Sequence, residues 1–423
     1  MKPFCFSPAD ILLPPRHEME RGVWSVIACD QFTSEPAYWE AVADLVGDRP
    51  STLHLMLPEV YLRESAERLP QIHRAMSEDL SGLLRCHPHT MIAVERTQSD
   101  GRIRHGLVGC VDLETYDYTK GTTSLIRATE GTVLERIPPR VAIRRGAALE
   151  LPHVMLLIDD PGRTVLEPLF TADAATQRTV AYDMELMLGG GHLRGTFLEP
   201  EQCVAVENAL RELITPEAME ARYGQSGLAP LLFAVGDGNH SLASAKAAYE
   251  EIKADIGPDK AACHPARYAL VEVVNLHDPA LSFEPIYRVL FHVNPEDVKK
   301  ELSHYTSSLQ GKAAPQRIRC LTPAKETTIT VPAPVQQLTV GTLQDFIDGY
   351  LAGHPGASVD YIHDEASVRT LLRADSIGFL FDGMAKDQLF RTVIFDGALP
   401  RKTFSMGNAR DKRYYTECRK ITE

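Results

Sequence analysis

The chain has 423 residues, of which 44% are hydrophobic and 24% charged, a composition typical of a globular protein. Its formal net charge of −13 at pH 7 disfavours nucleic acid as the main partner, because phosphate backbones are bound by basic surfaces. No apolar run approaches the ~18 residues of a membrane span, and the eight cysteines stand singly, as expected of a cytoplasmic protein.

Near the N-terminus the pattern predicts a strand at residues 23–28 and a helix at 36–45 with proline in its first turn. The polar loop between them holds Asp30, a carboxylate directly after a strand, where functional side chains are common. Residues 59–84 carry apolar side chains at helical spacing, which predicts one long amphipathic helix.

Strand patterns dominate the middle of the chain. Two β-branched runs, 90–96 and 103–113, flank an Asp-Gly dipeptide and predict a β-hairpin. Apolar runs also predict buried strands at 152–158 and 265–275, whereas residues 180–188 fit either a helix or a strand.

The last part of the chain has fewer motifs. Residues 340–351 predict a helix, and residues 377–381 and 389–395 predict strands. The chain then ends in a basic tail at residues 401–420.

An arginine-rich segment stands out against the acidic chain. Between residues 127 and 145, five arginines minus two glutamates leave a local charge of +3. Guanidinium groups match phosphate and carboxylate oxygens in two-pronged fashion, although the solvated face of a helix would show the same pattern. The centre, Thr129-Glu-Gly-Thr132, is less helix-like and favours a loop that meets an anionic ligand.

The stretch 231–246 predicts a strand, a glycine turn and a helix in succession. The turn, Gly236-Asp-Gly-Asn239, contains two glycines, which allow backbone angles that other residues avoid. A strand that feeds such a turn into a helix directs backbone N–H groups at one point, which suits an anion such as phosphate. The alternative is a structural turn in which Asn239 or Ser241 caps the helix.

Two stretches, 126–132 with the following Glu135-Arg136, and 236–241 with the helix behind it, resemble the domain of unknown function 1015 family. The turn is also similar to the phosphate-binding box of ParB-type nucleotidases, sulfiredoxin and free serine kinases. Asp237, Gly238, Asn239 and His240 fit that box, whereas Ser241 stands where the box usually has arginine. Lys246 or an arginine of the 127–145 segment would then supply the missing cation.

The resemblance implies a mixed α+β fold with a ParB/sulfiredoxin-like core and additional N- and C-terminal α+β parts. The expected division is an N-terminal α/β segment at 1–88, a catalytic core at 89–290 and a C-terminal α+β domain at 291–423.

The function that the resemblance implies is a nucleotide-dependent phosphotransferase, similar to a free serine kinase, acting on a small hydroxyl-bearing molecule. The implied cofactors are ATP or ADP and Mg²⁺, with Asp237 holding the metal or polarising the acceptor. Catalysis is assigned to Glu130 as general base, Asp237 and His240. Phosphate or nucleotide binding is assigned to Arg127, Thr132, Arg136, Gly238, Asn239, Ser241 and Lys246.

Two other functions fit the same residues. One is a nucleotide-binding regulator without catalysis, which the serine at position 241 favours. The other is a hydrolase that directs water at a phosphate ester. The expected partners are a small-molecule substrate and a nucleotide, with no membrane, and the oligomeric state is left open.

Overall fold

The computed structural model describes residues 4–33, 35–80, 82–131, 137–173 and 178–423, which form two compact units. The first unit contains the described residues of Met1–Ala128, Thr132–Leu281 and Asn408–Glu423; the second contains Thr129–Gly131 and Ser282–Gly407. These units divide the chain at other positions than the three predicted segments, whose boundaries stay predictions.

The first unit is built on a sheet with ten strands among the described residues. Across the sheet the order is Val180–Leu186, Gly191–Phe197, Ile92–Thr97, Ile103–Asp112, Tyr268–Asn275, Met155–Ile158, Phe233–Asp237, Ile126–Ala128 and Tyr116–Asp117, with Phe6–Ser7 beside Ile103–Asp112. Parallel and antiparallel pairs both occur, so the predicted mixed α+β class is confirmed.

Several predicted strands are present in this sheet. Ile92–Thr97 and Ile103–Asp112 pair as an antiparallel hairpin, as the Asp-Gly dipeptide predicted. The predicted strands near 152–158 and 265–275 are Met155–Ile158 and Tyr268–Asn275, which run parallel. Residues 180–188, which fitted either element, contain the strand Val180–Leu186.

The first unit also contains helices that cover the sheet. Their bounds are Arg16–Met19, Pro36–Val46, Ser65–Arg74, Ile137–Arg144, Pro200–Glu212, Pro216–Tyr223, Asn239–Ile256 and Pro258–Ala261. Leu107 and Val111 belong to a core cluster with residues of Asn239–Ile256, whereas Val108 and Cys110 belong to another. Because successive side chains of a strand point to opposite faces, the sheet separates two apolar cores.

The single long helix predicted at 59–84 is wrong. The segment forms a 3₁₀ helix at Glu59–Glu64, an α-helix at Ser65–Arg74 and a π-helical turn at Ala75–Asp79. Tyr61 has non-helical angles (φ −104°, ψ 16°), and Pro70, inside the α-helix, lacks the N–H that the helix ladder uses. Apolar spacing alone did not reveal these interruptions.

The C-terminal segment 408–423 pairs with strands from the first part of the chain. Tyr414–Tyr415 pairs with Val26–Ile27, and Arg419–Lys420 pairs with Leu149–Glu150. Nearby, Ala9–Leu13 pairs with Arg85–Thr90. The region predicted as a basic tail is therefore mostly built into the first unit.

Buried ion pairs hold that segment. The guanidinium group of Arg413 contacts the carboxylates of Glu272 and Glu417, and Arg104 also reaches Glu272, at 3.5 Å. Tyr182 donates a hydrogen bond to Glu417 at 2.5 Å. These five side chains are buried, so the segment is anchored by ion pairs that are shielded from solvent.

The second unit contains an antiparallel five-stranded sheet in the order Glu326–Val331, Gln316–Leu321, Ser376–Leu380, Tyr287–Phe291 and Ser358–Ile362. Phe283–Pro285 pairs separately with Phe404–Met406. Its helices are Pro295–Ser308, Thr339–Gly353, Glu365–Leu371 and Gln388–Phe395.

In this unit the helix predicted at 340–351 and the strand predicted at 377–381 are confirmed. The strand predicted at 389–395 is wrong, because Gln388–Phe395 is a helix that buries Leu389, Phe390 and Val393. A short apolar run does not distinguish a strand from a buried helix. Across the described residues, no helix has the length and apolar character needed to cross a membrane.

Candidate functional site

The predicted strand, turn and helix are confirmed at residues 233–256. The strand Phe233–Asp237 lies between Met155–Ile158, antiparallel to it, and Ile126–Ala128, parallel to it. It leads through Gly238 into the helix Asn239–Ile256, which we call the site helix.

Gly238 sets the direction of the turn. Its φ of +82° and ψ of 27° place it in the left-handed region, which glycine occupies without steric cost. A Cβ at this position would lie 3.1 Å from the Cα of Val154, a tight contact that the residue before the neighbouring strand could relieve only by shifting. The backbone therefore enters the site helix along a path that requires glycine.

The N-cap position of the site helix is Gly238, which has no side chain with which to cap it. Neither Asn239 nor Ser241, the residues predicted to cap the helix, occupies that position, and the hydroxyl of Ser241 contacts His153. A helix N-terminus presents backbone N–H groups and a partial positive charge, which favour a bound anion.

Asp237 ends the strand next to a lysine from the C-terminal segment. One carboxylate oxygen accepts a hydrogen bond from the backbone N–H of Gly238 at 3.1 Å. The other lies 3.2 Å from Nζ of Lys412, with the Asp237 and Lys412 side chains 20% and 11% exposed. The turn thus has an ammonium group beside it, although Ser241 provides no guanidinium.

His153 connects the site helix to the C-terminal segment. This residue is only 5% exposed, and its Nε2 lies 2.9 Å from Oγ of Ser241. Its Nδ1 lies 2.6 Å from the hydroxyl of Tyr415, which donates to Sγ of Cys29 at 3.1 Å. Because a tyrosine hydroxyl has one hydrogen, which Tyr415 gives to Cys29, Nδ1 of His153 donates to Tyr415.

Asp30 completes this cluster, with Oδ2 4.0 Å from Nε2 of His153. Burial raises the pKa of Asp30, but His153, the 2.9 Å hydrogen bond from Gln31 and the charge of Lys412 together bring it below its ordinary value. Burial raises the pKa of Cys29 to about 12, so its thiol is neutral at pH 7. The cluster therefore combines a carboxylate, an imidazole and a neutral thiol.

Other predicted residues are placed as follows. Arg127 donates hydrogen bonds to the carbonyl oxygens of Ser124, Ala229 and Pro230, which hold the chain just before the strand Phe233–Asp237. Lys246 lies 2.7 Å from Glu250, one turn further along the site helix.

His240 lies beside Asn239 at the start of the site helix, and its carbonyl accepts a hydrogen bond from Ser244. Thr132 and Arg136 lie outside the described residues. The structure therefore brings Asp237, Gly238, Asn239, His240 and Ser241 together in one turn.

Glu130 belongs to the second unit, whereas Asp237 belongs to the first. Burial raises the pKa of Glu130, although the charge of Lys402 and the backbone N–H groups of Lys402 and Thr403 act in the opposite direction. A raised carboxyl pKa is what a general base needs. The predicted role of Glu130 alongside Asp237 stays a prediction.

The predicted Mg²⁺ site at Asp237 stays a prediction. Among the residues that the structure describes, no group of three or more His, Cys, Asp or Glu side chains is arranged to hold a metal ion. A nucleotide-bound Mg²⁺ usually needs only one or two protein carboxylates, and the carboxylate of Asp237 lies 3.2 Å from the ammonium group of Lys412.

Three solved structures show weak similarity to this chain. A conserved hypothetical protein from Pyrococcus furiosus is 8% identical, with a TM-score of 0.35, and the match covers 74% of this chain and 94% of that one. SbnI with a C-terminal truncation, from Staphylococcus aureus, is 12% identical, with a TM-score of 0.33 and coverage of 71% and 82%. A free serine kinase in complex with AMP is 8% identical, with a TM-score of 0.36 and coverage of 74% and 90%. With TM-scores this low, we draw no conclusion about this chain from these similarities.

A search of curated proteins found no match to this chain. In contrast, the family described as protein of unknown function (DUF1015) matches residues 8–350. The matched range contains both sequence motifs, at 126–132 and 236–241, and the whole strand, turn and helix described above. Because the match extends over well more than half of the length of this chain, the chain belongs to the DUF1015 family.

Proposed function

We propose that the chain binds a nucleotide with its phosphate groups at the first turn of the site helix and transfers a phosphoryl group to a small hydroxyl-bearing acceptor. The observation that carries this proposal is the ammonium group of Lys412, 3.2 Å from Asp237, beside the N-terminus of the site helix.

Phosphate binding needs both features. The partial charge at a helix N-terminus contributes only about 0.3–1 kcal/mol at an exposed site, so a phosphate is held firmly when a full positive charge is also present. Lys412 supplies that charge, and Asp237 holds its ammonium group in position. In this proposal Asp237 acts by orienting a lysine rather than by binding Mg²⁺.

Transfer also needs a group that takes the acceptor's proton. In the proposed step the hydroxyl of Ser241 accepts that proton and passes its own to Nε2 of His153. The acceptor oxygen then forms its bond to phosphorus while the bond from phosphorus to the leaving phosphate oxygen breaks. Asp30, 4.0 Å from the same nitrogen, stabilises the imidazolium that results.

The proposal is tested first by binding. We expect ATP or ADP, added without metal and then with Mg²⁺, to raise the melting temperature of the chain, because a ligand of the native state stabilises it by mass action. A chain that responds to no nucleotide in either condition would contradict nucleotide binding.

The reaction is tested second, by ³¹P NMR of the chain with the bound nucleotide and a panel of small alcohols. Formation of a phosphate monoester of an alcohol supports transfer. Release of inorganic phosphate alone would instead identify a hydrolase, and binding without turnover would identify a nucleotide-binding regulator.

A further inference from the structure

A cavity of about 170 Å³ lies within the first unit, next to the first turn of the site helix. Ser241, His153, Cys29 and Tyr415 form its polar end. The remaining wall is mostly apolar and includes Leu55, Leu57, Leu62, Met76, Leu149 and Leu270. Small-molecule sites usually combine an apolar wall with a few convergent polar groups in this way.

The charged side chains in the wall are paired with one another. Arg140 contacts Glu59, and Arg144 lies 2.5 Å from Glu150. Glu150 also pairs with Arg419, at 2.6 Å. A charged ligand group would therefore lose its hydration in the cavity without meeting an unmatched opposite charge, which is unfavourable. The wall favours an uncharged occupant.

The size of the cavity limits the occupant further. An apolar cavity of about 150 Å³ accommodates benzene, so about 170 Å³ corresponds to roughly six to eight non-hydrogen atoms. A body of that size, with its hydroxyl at the end formed by Ser241 and His153, fills the cavity and can donate a hydrogen bond to the hydroxyl oxygen of Ser241.

We infer that this cavity binds an uncharged alcohol, whose apolar body contacts the leucine-rich wall and whose hydroxyl faces Ser241 and His153. The further idea that this alcohol is the phosphoryl acceptor rests on the proposed function. The binding of the alcohol to the cavity does not depend on the proposed function. An amino acid such as serine, with an ammonium and a carboxylate group, does not match the wall.

Two cavity-filling variants test the inference. Ala245→Val on the site helix and Ala147→Val in the loop after Ile137–Arg144 each add bulk to the wall of the cavity. Ala248→Val is the control, because Ala248 is also buried on the site helix but does not line the cavity. If Ala245→Val fails to fold, Ala147→Val provides the same test from another element.

Binding of cyclohexanol, benzyl alcohol, glycerol and L-serine to the full chain is measured by ligand-observed NMR. We expect the first two to bind more tightly than glycerol and serine, and to lose at least about tenfold in affinity in both cavity-filling variants but not in the control. Failure of both apolar alcohols to bind, or an equal loss in the control, would overturn the inference.

Nucleotide binding is measured on the same samples, which separates the two proposals. If the alcohols bind as expected but nucleotides do not, the cavity assignment stands and the phosphotransferase proposal falls. If nucleotides bind and the apolar alcohols do not, the cavity assignment fails and nucleotide binding stands.

Discussion

The ammonium group of Lys412 lies 3.2 Å from the carboxylate of Asp237, although Ser282–Gly407 of the second unit stands between the two residues in the sequence. In the proposed function, Lys412 supplies the positive charge of the phosphate site. We expect Lys412→Met to lower nucleotide affinity at least about tenfold, since it removes the cation but keeps the bulk of the side chain. Isothermal titration calorimetry measures the change.

Lys420→Met is the matched control, because Lys420 is an exposed lysine of the same C-terminal segment. The Lys420→Met variant should bind nucleotide with the same affinity as the wild type. Equal losses in both variants would mean that Lys412 acts only through the overall charge of the chain.

Asp237→Asn separates orientation from stability. Lys412 is buried and the Asp237 side chain is only 20% exposed, so the variant leaves a buried ammonium group less compensated and should lower the free energy of unfolding by about 1–3 kcal/mol. Phosphoryl transfer, in contrast, should fall by at least about a hundredfold if Asp237 fixes the ammonium group against the transferred phosphate. Unchanged turnover in a folded variant would remove Asp237 from the mechanism.

Gly238→Ala tests the path of the turn. A non-glycine residue in the left-handed region costs about 1–2 kcal/mol, and here the added Cβ would also press on Val154 at 3.1 Å. Gly224→Ala is a control with the same backbone strain, φ +75°, and no atom within 4 Å of the added Cβ. Both should lose stability in urea denaturation, but only Gly238→Ala should also lose nucleotide binding.

Arg413→Met tests the buried ion pairs of the C-terminal segment. The change leaves Glu272 and Glu417 buried with less compensation, so we expect the free energy of unfolding to fall by about 3–5 kcal/mol. Arg145→Met removes an exposed pair with Glu251 and should leave the urea midpoint unchanged. Equal effects of the two variants would contradict an anchoring role for Arg413.

Stability should also depend on pH through Glu272. Burial raises the pKa of its carboxyl, but Arg413 and Arg104 lower it by more, so the value in the folded chain lies below the ordinary 4.5. A lowered pKa gives stability that is present above the unfolded value and is lost as pH falls through the folded value. Urea midpoints should therefore fall from about pH 5 downwards, and Glu272→Gln should flatten this decline. An unaltered acid profile in that variant would assign the decline to other carboxyls.

The turn at residues 236–239 could be predicted from the sequence because its signals are local. Two glycines, an apolar run before them and helical spacing after them lie within residues 231–246, and backbone angles follow from nearest neighbours. The hairpin of Ile92–Thr97 and Ile103–Asp112 was predictable for the same reason.

The rest of the site was not predictable, since it depends on pairing between distant strands. Lys412 and Tyr415 reach the turn only because Tyr414–Tyr415 pairs with Val26–Ile27, and nothing in residues 401–420 signals that pairing. The sequence offers one signal for His153, since this histidine stands at the start of an apolar run. That position alone does not distinguish a structural histidine from a functional one.

The return of residues 408–423 to the first unit has a consequence for protein synthesis. The ribosome releases the strand Phe233–Asp237 and the start of the site helix long before it makes Lys412, with all of Ser282–Gly407 in between. Until then the turn lacks its ammonium group, and Glu272 lacks its partner Arg413. If the proposed phosphate site is correct, nascent chains should therefore gain nucleotide binding only after Lys412 has emerged from the ribosome.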